Sequence, residues 1–331
     1  MPDIWTHIIC GEEVLNSLHD SKWKEILIKN KKLFNLGCQG PDIFLYNDFW
    51  PWIKEKRGVK FGSLLHEEKT GEFFIKGFNY LKHNIEKQKG FQLLFTYLAG
   101  FVCHFGLDRV AHPYIHYYSG KYDKNKPETR KYSGYHKKLE VIIDSIIVKE
   151  RKGIDAYKYP VFKEIDIEGG LPKVVVQFYK YIISNLYKYK SNPDFIVDSY
   201  NDMKKVFKIT HDRLGIKKVL LYFIDLVTRG DIDYNSVIYP RRLAQRDYMN
   251  RNHNIWNHPC DKKEVYNSSF DDLLDKAVIE SREMLKGAIM YLEDKLEIKD
   301  LEKLFPNISY VTGKPTNQKC EIIYYDPIFE R

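Results

Sequence analysis

The segment from His104 to Pro113 carries three side chains that could bind metal ions, one helical turn apart. His104, Asp108 and His112 follow one another at intervals of four residues, inside a stretch that is otherwise apolar. A helix turns about 100° and rises about 1.5 Å per residue, so the three side chains leave one face over roughly 12 Å. Because zinc–nitrogen bonds are only about 2.0–2.1 Å long, this spacing favours two neighbouring ions, with Asp108 able to bridge them.

A second pair of candidate ligands, His136 and Glu140, lies further along the chain at the same interval of four residues. Alone, this pair is typical of an exposed helix face. Together with the three upstream residues it forms a set of five, which favours a metal cluster over a buried hydrogen-bonded pair. His116 remains an alternative ligand, one turn beyond the first three. No Ser–His–Asp set, cysteine nucleophile pattern or glycine-rich phosphate loop is evident in the sequence.

The elements that must hold these residues are mainly α-helices, because most segments repeat apolar residues with a period near 3.6. The central helix is predicted over residues 90–112, since Pro113 disfavours helical backbone in the residue before it. Its interior Gly100 and Gly106 each cost about 1 kcal/mol relative to alanine. That cost indicates close packing against neighbouring helices.

The chain has 331 residues, 44% of them hydrophobic, which is enough to bury a large core. No internal repeat or linker forces a division. We therefore expect a single all-α domain over residues 1–295, a multi-helix bundle whose metal core spans residues 1–190. Residues 296–331 are predicted to form an irregular C-terminal extension.

Charge and cysteine content bear on partners and compartment. The formal net charge of +8 suits an anionic partner, including peripheral contact with an anionic membrane surface. The five cysteines are widely spaced, without a CxxC motif. This argues against a disulfide framework and a thiolate zinc site, and suits a reducing compartment. No secretion signal is visible and no apolar run approaches 18 residues, so a cytoplasmic protein without a transmembrane segment is expected.

The candidate ligands, taken in chain order, resemble those of the zinc-dependent phospholipase C family, which is related in fold to the S1/P1-type nucleases. That family has an N-terminal histidine, a loop aspartate, a histidine, an H-x-x-x-D pair on a long helix, another histidine and an H-x-x-x-E pair. The matching residues here are His7, Asp42, His66, His104, Asp108, His112, His136 and Glu140. The final glutamate is more similar to the lipases, because the nucleases usually have aspartate there.

The resemblance implies a phospholipase C/P1 nuclease-like bundle with two or three Zn²⁺ ions in a cleft. Two acids and two histidines would hold the first ion: Asp42, His66, His104 and Asp108. Two histidines and one acid would hold the second: His112, His136 and Glu140. Asp108 would bridge to a third ion, shared with His7 and the amino terminus. Methionine before proline is often removed, so Pro2 is the predicted source of that amine.

The function that the resemblance implies is zinc-dependent hydrolysis of a phosphodiester, with a metal-activated water attacking phosphorus. Asp42 would assist as a base, as is proposed for the family. A single-strand nuclease of the S1/P1 type and a non-catalytic metal-binding structural protein are the alternatives. The substrate would be a phospholipid head group or a nucleotide. Trp50, Trp52 and Tyr114 could line its groove, because aromatic faces suit a choline cation or stacked bases.

Overall fold

A computed structural model describes residues 3–50, 53–85, 89–123, 125–132, 134–190, 192–221 and 234–331. Within these residues nearly all regular structure is helical, with one two-stranded antiparallel sheet. This confirms the predicted all-α class. The predicted domain boundary at residue 295 stays a prediction.

Twelve helices are numbered here in chain order. They are α1 (Ile4–Ser17), α2 (Lys22–Lys29), α3 (Lys31–Gly37), α4 (Arg57–Glu67), α5 (Thr70–Asn84), α6 (Lys89–Ser119), α7 (Tyr135–Lys152), α8 (Lys173–Ile182), α9 (Phe195–Thr210), α10 (residues 216–221), α11 (Phe270–Leu292) and α12 (Ile298–Leu304). A 3₁₀ helix at Gly40–Tyr46 follows α3, and strands β1 (Trp256–His258) and β2 (Asp261–Tyr266) form a hairpin.

Helix α6 is the axis of the bundle, and α1, α3, α5, α7 and α11 pack around it. Its glycines allow this packing: a side chain at Gly100 would collide with the backbone of α3, and one at Gly106 with Ser281 of α11. The prediction that these glycines mark close helix contacts is confirmed. By length and composition α6 could cross a membrane, but most of its apolar window is buried in the bundle, as in core helices.

The predicted end of the central helix at residue 112 is wrong, because α6 continues through Pro113 to Ser119. Proline disfavours helical geometry locally and removes one backbone hydrogen bond. Tertiary packing outweighs that cost here. Tyr114 is fully buried, its ring lies 5.5 Å from that of Trp256 and 5.6 Å from that of Phe270, and its hydroxyl donates to the Tyr248 carbonyl.

The N-terminus of α1 is fixed by a carboxylate from α7. The first backbone N–H groups of a helix have no partner within the helix. Asp144 accepts two of them, from Trp5 and Thr6, each at 2.8 Å, and also accepts the Tyr239 hydroxyl at 2.9 Å. This contact holds α1 against α7 and sets the position of His7 one residue later.

The sequence argued against a disulfide framework, but one disulfide is present. Cys260, in the turn between β1 and β2, and Cys320, in the C-terminal segment, are joined, whereas the other three cysteines are free and buried. The wide sequence spacing hid this pair, because the fold brings their Cα atoms to 5.4 Å. The bond ties the hairpin to residues 306–326, a segment that reaches the centre of the molecule.

Candidate metal centre

Five helical elements deliver the predicted ligands to the middle of the bundle. Helix α1 carries His7, the 3₁₀ helix carries Asp42 and α4 carries His66. Helix α6 carries His104, Asp108 and His112, and α7 carries His136 and Glu140. All of them except His136 are buried. The structure therefore collects eight residues that are spread over more than a hundred positions.

Four of these residues form what we call the Asp108 group, made up of Asp42, His66, His104 and Asp108. One ligand atom from each lies within 4.8 Å of the others. His66 Nε2 is 3.1 Å from Asp42 Oδ1, and His104 Nε2 is 3.1 Å from Asp108 Oδ2. His7 adjoins the group, with Nε2 3.4 Å from Asp108 Oδ1 and its ring stacked 4.2 Å from that of His104.

A glycine turn lets Asp42 reach this group. Gly40 begins the 3₁₀ helix with φ at +50°, and a Cβ there would collide with the ring of His104. Glycine is the residue that adopts this backbone without steric cost. The turn therefore packs directly on the His104 ring and brings the carboxylate of Asp42 beside it.

The remaining three predicted ligands form the Glu140 group, made up of His112, His136 and Glu140. Their ligand atoms also lie within 4.8 Å of one another. His112 Nε2 is 3.3 Å from His136 Nε2, and His136 Nε2 is 2.8 Å from Glu140 Oε1. His116, the alternative ligand, lies beside this group but outside the set of converging atoms, with its ring centre 4.7 Å from that of His136.

The histidine rings are oriented by hydrogen bonds on the side away from the group centres. Three of them place Nδ1 against a backbone carbonyl oxygen: His66 on Gly62 (2.7 Å), His104 on Cys38 (3.0 Å) and His112 on Tyr310 (2.9 Å). A carbonyl only accepts, so Nδ1 carries the proton and Nε2 keeps its lone pair. Histidines that bind metals are held in this way by their surroundings.

The buried polar atoms of the Asp108 group and of the adjoining His7 favour a bound cation. Within the described residues, both nitrogens of His7, Nε2 of His104 and both carboxylate oxygens of Asp108 have no hydrogen-bond partner. Leaving a buried polar group unsatisfied costs about 1–3 kcal/mol. Because His104 Nε2 faces a carboxylate oxygen at 3.1 Å, a positive charge between them, either a proton or a bound metal ion, removes the cost. Mixed nitrogen and carboxylate donors suit zinc, so these residues fit it.

Protonation in the centre also suits metal binding. Burial lowers the pKa of His7, His112 and His136 below the usual value for histidine, which keeps them neutral. Neutral imidazole is the form that binds a metal. Burial alone would act in the same way on His104, but neighbouring carboxylates, first that of Asp108, outweigh it and raise its pKa.

Both groups border one cleft of about 390 Å³. Five predicted ligands line it: Asp42, His66, His112, His136 and Glu140. Non-ligand residues of its wall were missed by sequence reasoning, among them Tyr46 and Lys137. Lys137 follows His136 and precedes Glu140, a pair that taken alone is typical of an exposed helix face, so the sequence predicts Lys137 to be exposed. Instead its Nζ lies 3.0 Å from Asp3 Oδ1 and 3.6 Å from Glu140 Oε2.

Of the three aromatic residues predicted to line a groove, the two that the structure describes, Trp50 and Tyr114, do not border the cleft. Tyr114 is wrong as a groove residue, because its ring is buried behind α6 and its hydroxyl is bound to the Tyr248 carbonyl. Trp50 is half-buried against Phe49, with ring centres 4.4 Å apart, and is not among the residues that border the cleft. Trp52 and the proposed amine ligand Pro2 lie outside the described residues.

The C-terminal segment supplies a support for the centre that the sequence did not indicate. Tyr310 accepts from His112 through its carbonyl, donates its N–H to the His66 carbonyl at 2.9 Å, and has its ring 5.7 Å from that of His104. His258 holds the same segment, with Nε2 2.9 Å from the Thr312 carbonyl. His258 therefore helps to fix the segment that carries Tyr310.

A family model described as zinc dependent phospholipase C matches residues 6–213 of this chain. The chain belongs to the zinc-dependent phospholipase C family. No curated protein and no solved structure matches it. Membership makes it a zinc-dependent hydrolase, and its candidate groups are consistent with the predicted two or three zinc ions.

The family match contains every predicted ligand from His7 to Glu140 but ends before the β-hairpin and the C-terminal segment. In this member of the family, Tyr310 and the Cys260–Cys320 bond therefore lie beyond the matched region. The support that they give to His112 comes from outside that region.

Proposed function

We propose that this protein hydrolyses the phosphodiester bond between glycerol and the head group of a phospholipid. The observation that carries the proposal is the shared cleft: Asp42 and His66 of the Asp108 group line it together with all three members of the Glu140 group. The assignment of the eight ligands, two or three ions, and the amine of Pro2 is part of this proposal.

The bond changes follow from the chemistry of a phospholipase C. The oxygen of water forms a bond to phosphorus, the bond from phosphorus to the glycerol oxygen breaks, and the proton taken from water is returned to that oxygen, so that diacylglycerol and the phosphorylated head group are released. When bound, zinc ions supply the Lewis acidity that acidifies water and stabilises charge on phosphate oxygens. Asp42, whose carboxylate borders the cleft, accepts the proton of the attacking water.

Lys137 is the cation of the cleft wall that is placed to attract the phosphate. Asp3 and Glu140 hold its ammonium group beside the Glu140 group, and 29% of its side chain is exposed. Leu45, Tyr46 and Val311 give the same cleft an apolar surface that can contact the glycerol portion of the lipid. A wall with one cation and several apolar side chains suits an amphiphile.

The test compares three substrates with the zinc-loaded protein: phosphatidylcholine, single-stranded DNA and bis(4-nitrophenyl) phosphate. We expect hydrolysis of phosphatidylcholine and of the small diester. Asp42→Asn should lose both activities by roughly 100-fold or more, as for removal of a general base. Asp271→Asn, on the outer face of α11, is the control and should keep them.

Two results would replace the proposal. Hydrolysis of single-stranded DNA without phosphatidylcholine would make the protein a nuclease of the S1/P1 type. Stoichiometric zinc with no activity on any of the three would leave a metal-binding structural protein.

A further inference from the structure

An exposed apolar surface follows helix α9, and we call it the Leu214 surface (residues 209–220). It presents five large aliphatic side chains within twelve positions: Ile209, Leu214, Ile216, Val219 and Leu220. Leu214 is 70% exposed and Ile216 65%. Single exposed aliphatic residues are ordinary on proteins, whereas a contiguous group marks a binding surface.

Internal hydrogen bonds hold the Leu214 surface together. Lys217 Nζ donates to the carbonyls of Ile209 and His211, at 2.7 and 2.8 Å. Asp212 accepts the backbone N–H of Lys218 at 2.8 Å, near the start of α10. The end of α9 and the start of α10 therefore form one unit, from which the aliphatic side chains project.

The same stretch is positively charged. From residue 208 to residue 220 it has four basic side chains, Lys208, Arg213, Lys217 and Lys218, and one acid, Asp212, which is buried. The guanidinium of Arg241 adds a further positive charge, because its Nη1 donates to the Leu214 carbonyl at 3.1 Å. Aliphatic side chains mixed with lysine and arginine are typical of segments that lie on anionic membranes.

The surface adjoins the wall of the catalytic cleft. Helix α9 packs against the 3₁₀ helix that carries Asp42, and the ring of Phe207 lies 5.3 Å from that of Tyr46, which borders the cleft. Ile209 follows Phe207 by two residues. The Leu214 surface therefore begins on the helix that packs against the cleft wall.

We propose that the Leu214 surface docks this protein on anionic phospholipid bilayers and so brings the cleft to its substrate. The proposal rests on the lipid-hydrolysing function argued above, and it adds the surface of the membrane as a partner. The aliphatic side chains enter the bilayer interface, and the basic side chains contact anionic head groups.

The experiment uses the zinc-loaded full chain and the double variant Leu214→Ser/Ile216→Ser. Ile255→Ser is the matched control, since Ile255 is also 70% exposed but lies next to the β-hairpin. Co-sedimentation is measured with vesicles of phosphatidylcholine, with and without phosphatidylserine. We expect the double variant to bind phosphatidylserine vesicles about tenfold more weakly, and the control to bind unchanged. Unmodified protein should bind less at high salt. Equal zinc content shows that the variants fold.

Hydrolysis separates docking from chemistry. The double variant should hydrolyse vesicle phosphatidylcholine about tenfold more slowly in the presence of phosphatidylserine, yet keep its rate on monomeric dihexanoyl phosphatidylcholine. Equal vesicle binding by the double variant and the unmodified chain would overturn the docking proposal alone. Binding that depends on the surface, with no hydrolysis of either lipid, would overturn the proposed function and leave docking in place. A third result would assign the surface to a second copy of the chain. In that case the unmodified protein and the Ile255→Ser control are dimers that do not bind vesicles, and the double variant is a monomer.

Discussion

The Asp108 group and the Glu140 group are built from similar residues but differ in their surroundings. His104 and Asp108 are fully buried, and the carbonyls that orient His66 and His104 come from Gly62 and Cys38, within the family-matched region. In the Glu140 group, 32% of the His136 side chain is exposed. The carbonyl that orients His112 comes from the distant C-terminal segment.

This difference in exposure indicates that the two groups have different roles, one structural and one catalytic. Zinc sites that support structure are closed by protein ligands, whereas catalytic sites keep a position open to water or substrate. The Asp108 group is enclosed on most sides, so a metal there would stabilise the bundle. All three members of the Glu140 group border the cleft, so a metal there would face the substrate.

The largest expected effect comes from removing the charge of Asp108. Asp108→Asn should lower zinc affinity by more than about 100-fold, because even the outer partners of a ligand are worth 10- to 100-fold. It should also lower the thermal midpoint of the zinc-loaded protein. Glu140→Gln should lose one ion and the activity while keeping the remaining zinc and the midpoint. For both variants, ICP-MS measures the zinc content and thermal unfolding measures the midpoint temperature.

The distinction between a closed Asp108 group and an open Glu140 group is wrong if Asp108→Asn and Glu140→Gln behave alike. Equal losses of zinc and of thermal midpoint would mean that the groups act as one cluster without a closed and an open part. Asp275→Asn, an exposed position on α11, serves as the control and should match the unmodified protein in both measurements.

A smaller effect is expected from opening the disulfide that secures the C-terminal segment. The cysteines are 60 residues apart, and closing a loop of that length stabilises a fold by about 4 kcal/mol in the chain-entropy description. Cys320→Ser should therefore unfold at lower temperature. It should also release zinc to EDTA faster, because the Tyr310 carbonyl that orients His112 is less firmly held.

Reductant provides the internal control for this prediction. Tris(2-carboxyethyl)phosphine, a reductant without the zinc-chelating thiolates of dithiothreitol, should reproduce the change in the unmodified protein and add nothing in Cys320→Ser. If zinc release from Cys320→Ser equals that of the unmodified protein, the C-terminal segment does not support the Glu140 group.

The sequence alone indicated the ligands that are spaced four residues apart on one helix. His104, Asp108 and His112 share one face of α6, as their spacing predicts, and His136 with Glu140 shares one face of α7. Such pairs are visible because the helix fixes their geometry over four residues. His7, Asp42 and His66 had no local pattern, and only the order of residues in the family suggested them.

Contacts that the fold makes between remote segments had no sequence signal. Tyr310 lies almost two hundred positions after His112, and its contribution is a backbone carbonyl, which any residue type would provide. The pairing of Cys260 with Cys320 depends on the path of the chain between them. Lys137 was read as exposed because its partner Asp3 belongs to another helix terminus.

The smallest expected effect tests the residue that the sequence placed wrongly. Tyr114 was predicted to line the groove, but the structure turns it away, towards the Tyr248 carbonyl, at 2.8 Å. Tyr114→Phe keeps the ring and removes that hydrogen bond, so the free energy of unfolding should fall by about 1 kcal/mol. The KM for monomeric phosphatidylcholine should not change, whereas Tyr46→Leu, on the cleft wall, should raise it. Urea unfolding and initial rates measure the two quantities, and a raised KM in Tyr114→Phe would place this ring in the groove after all.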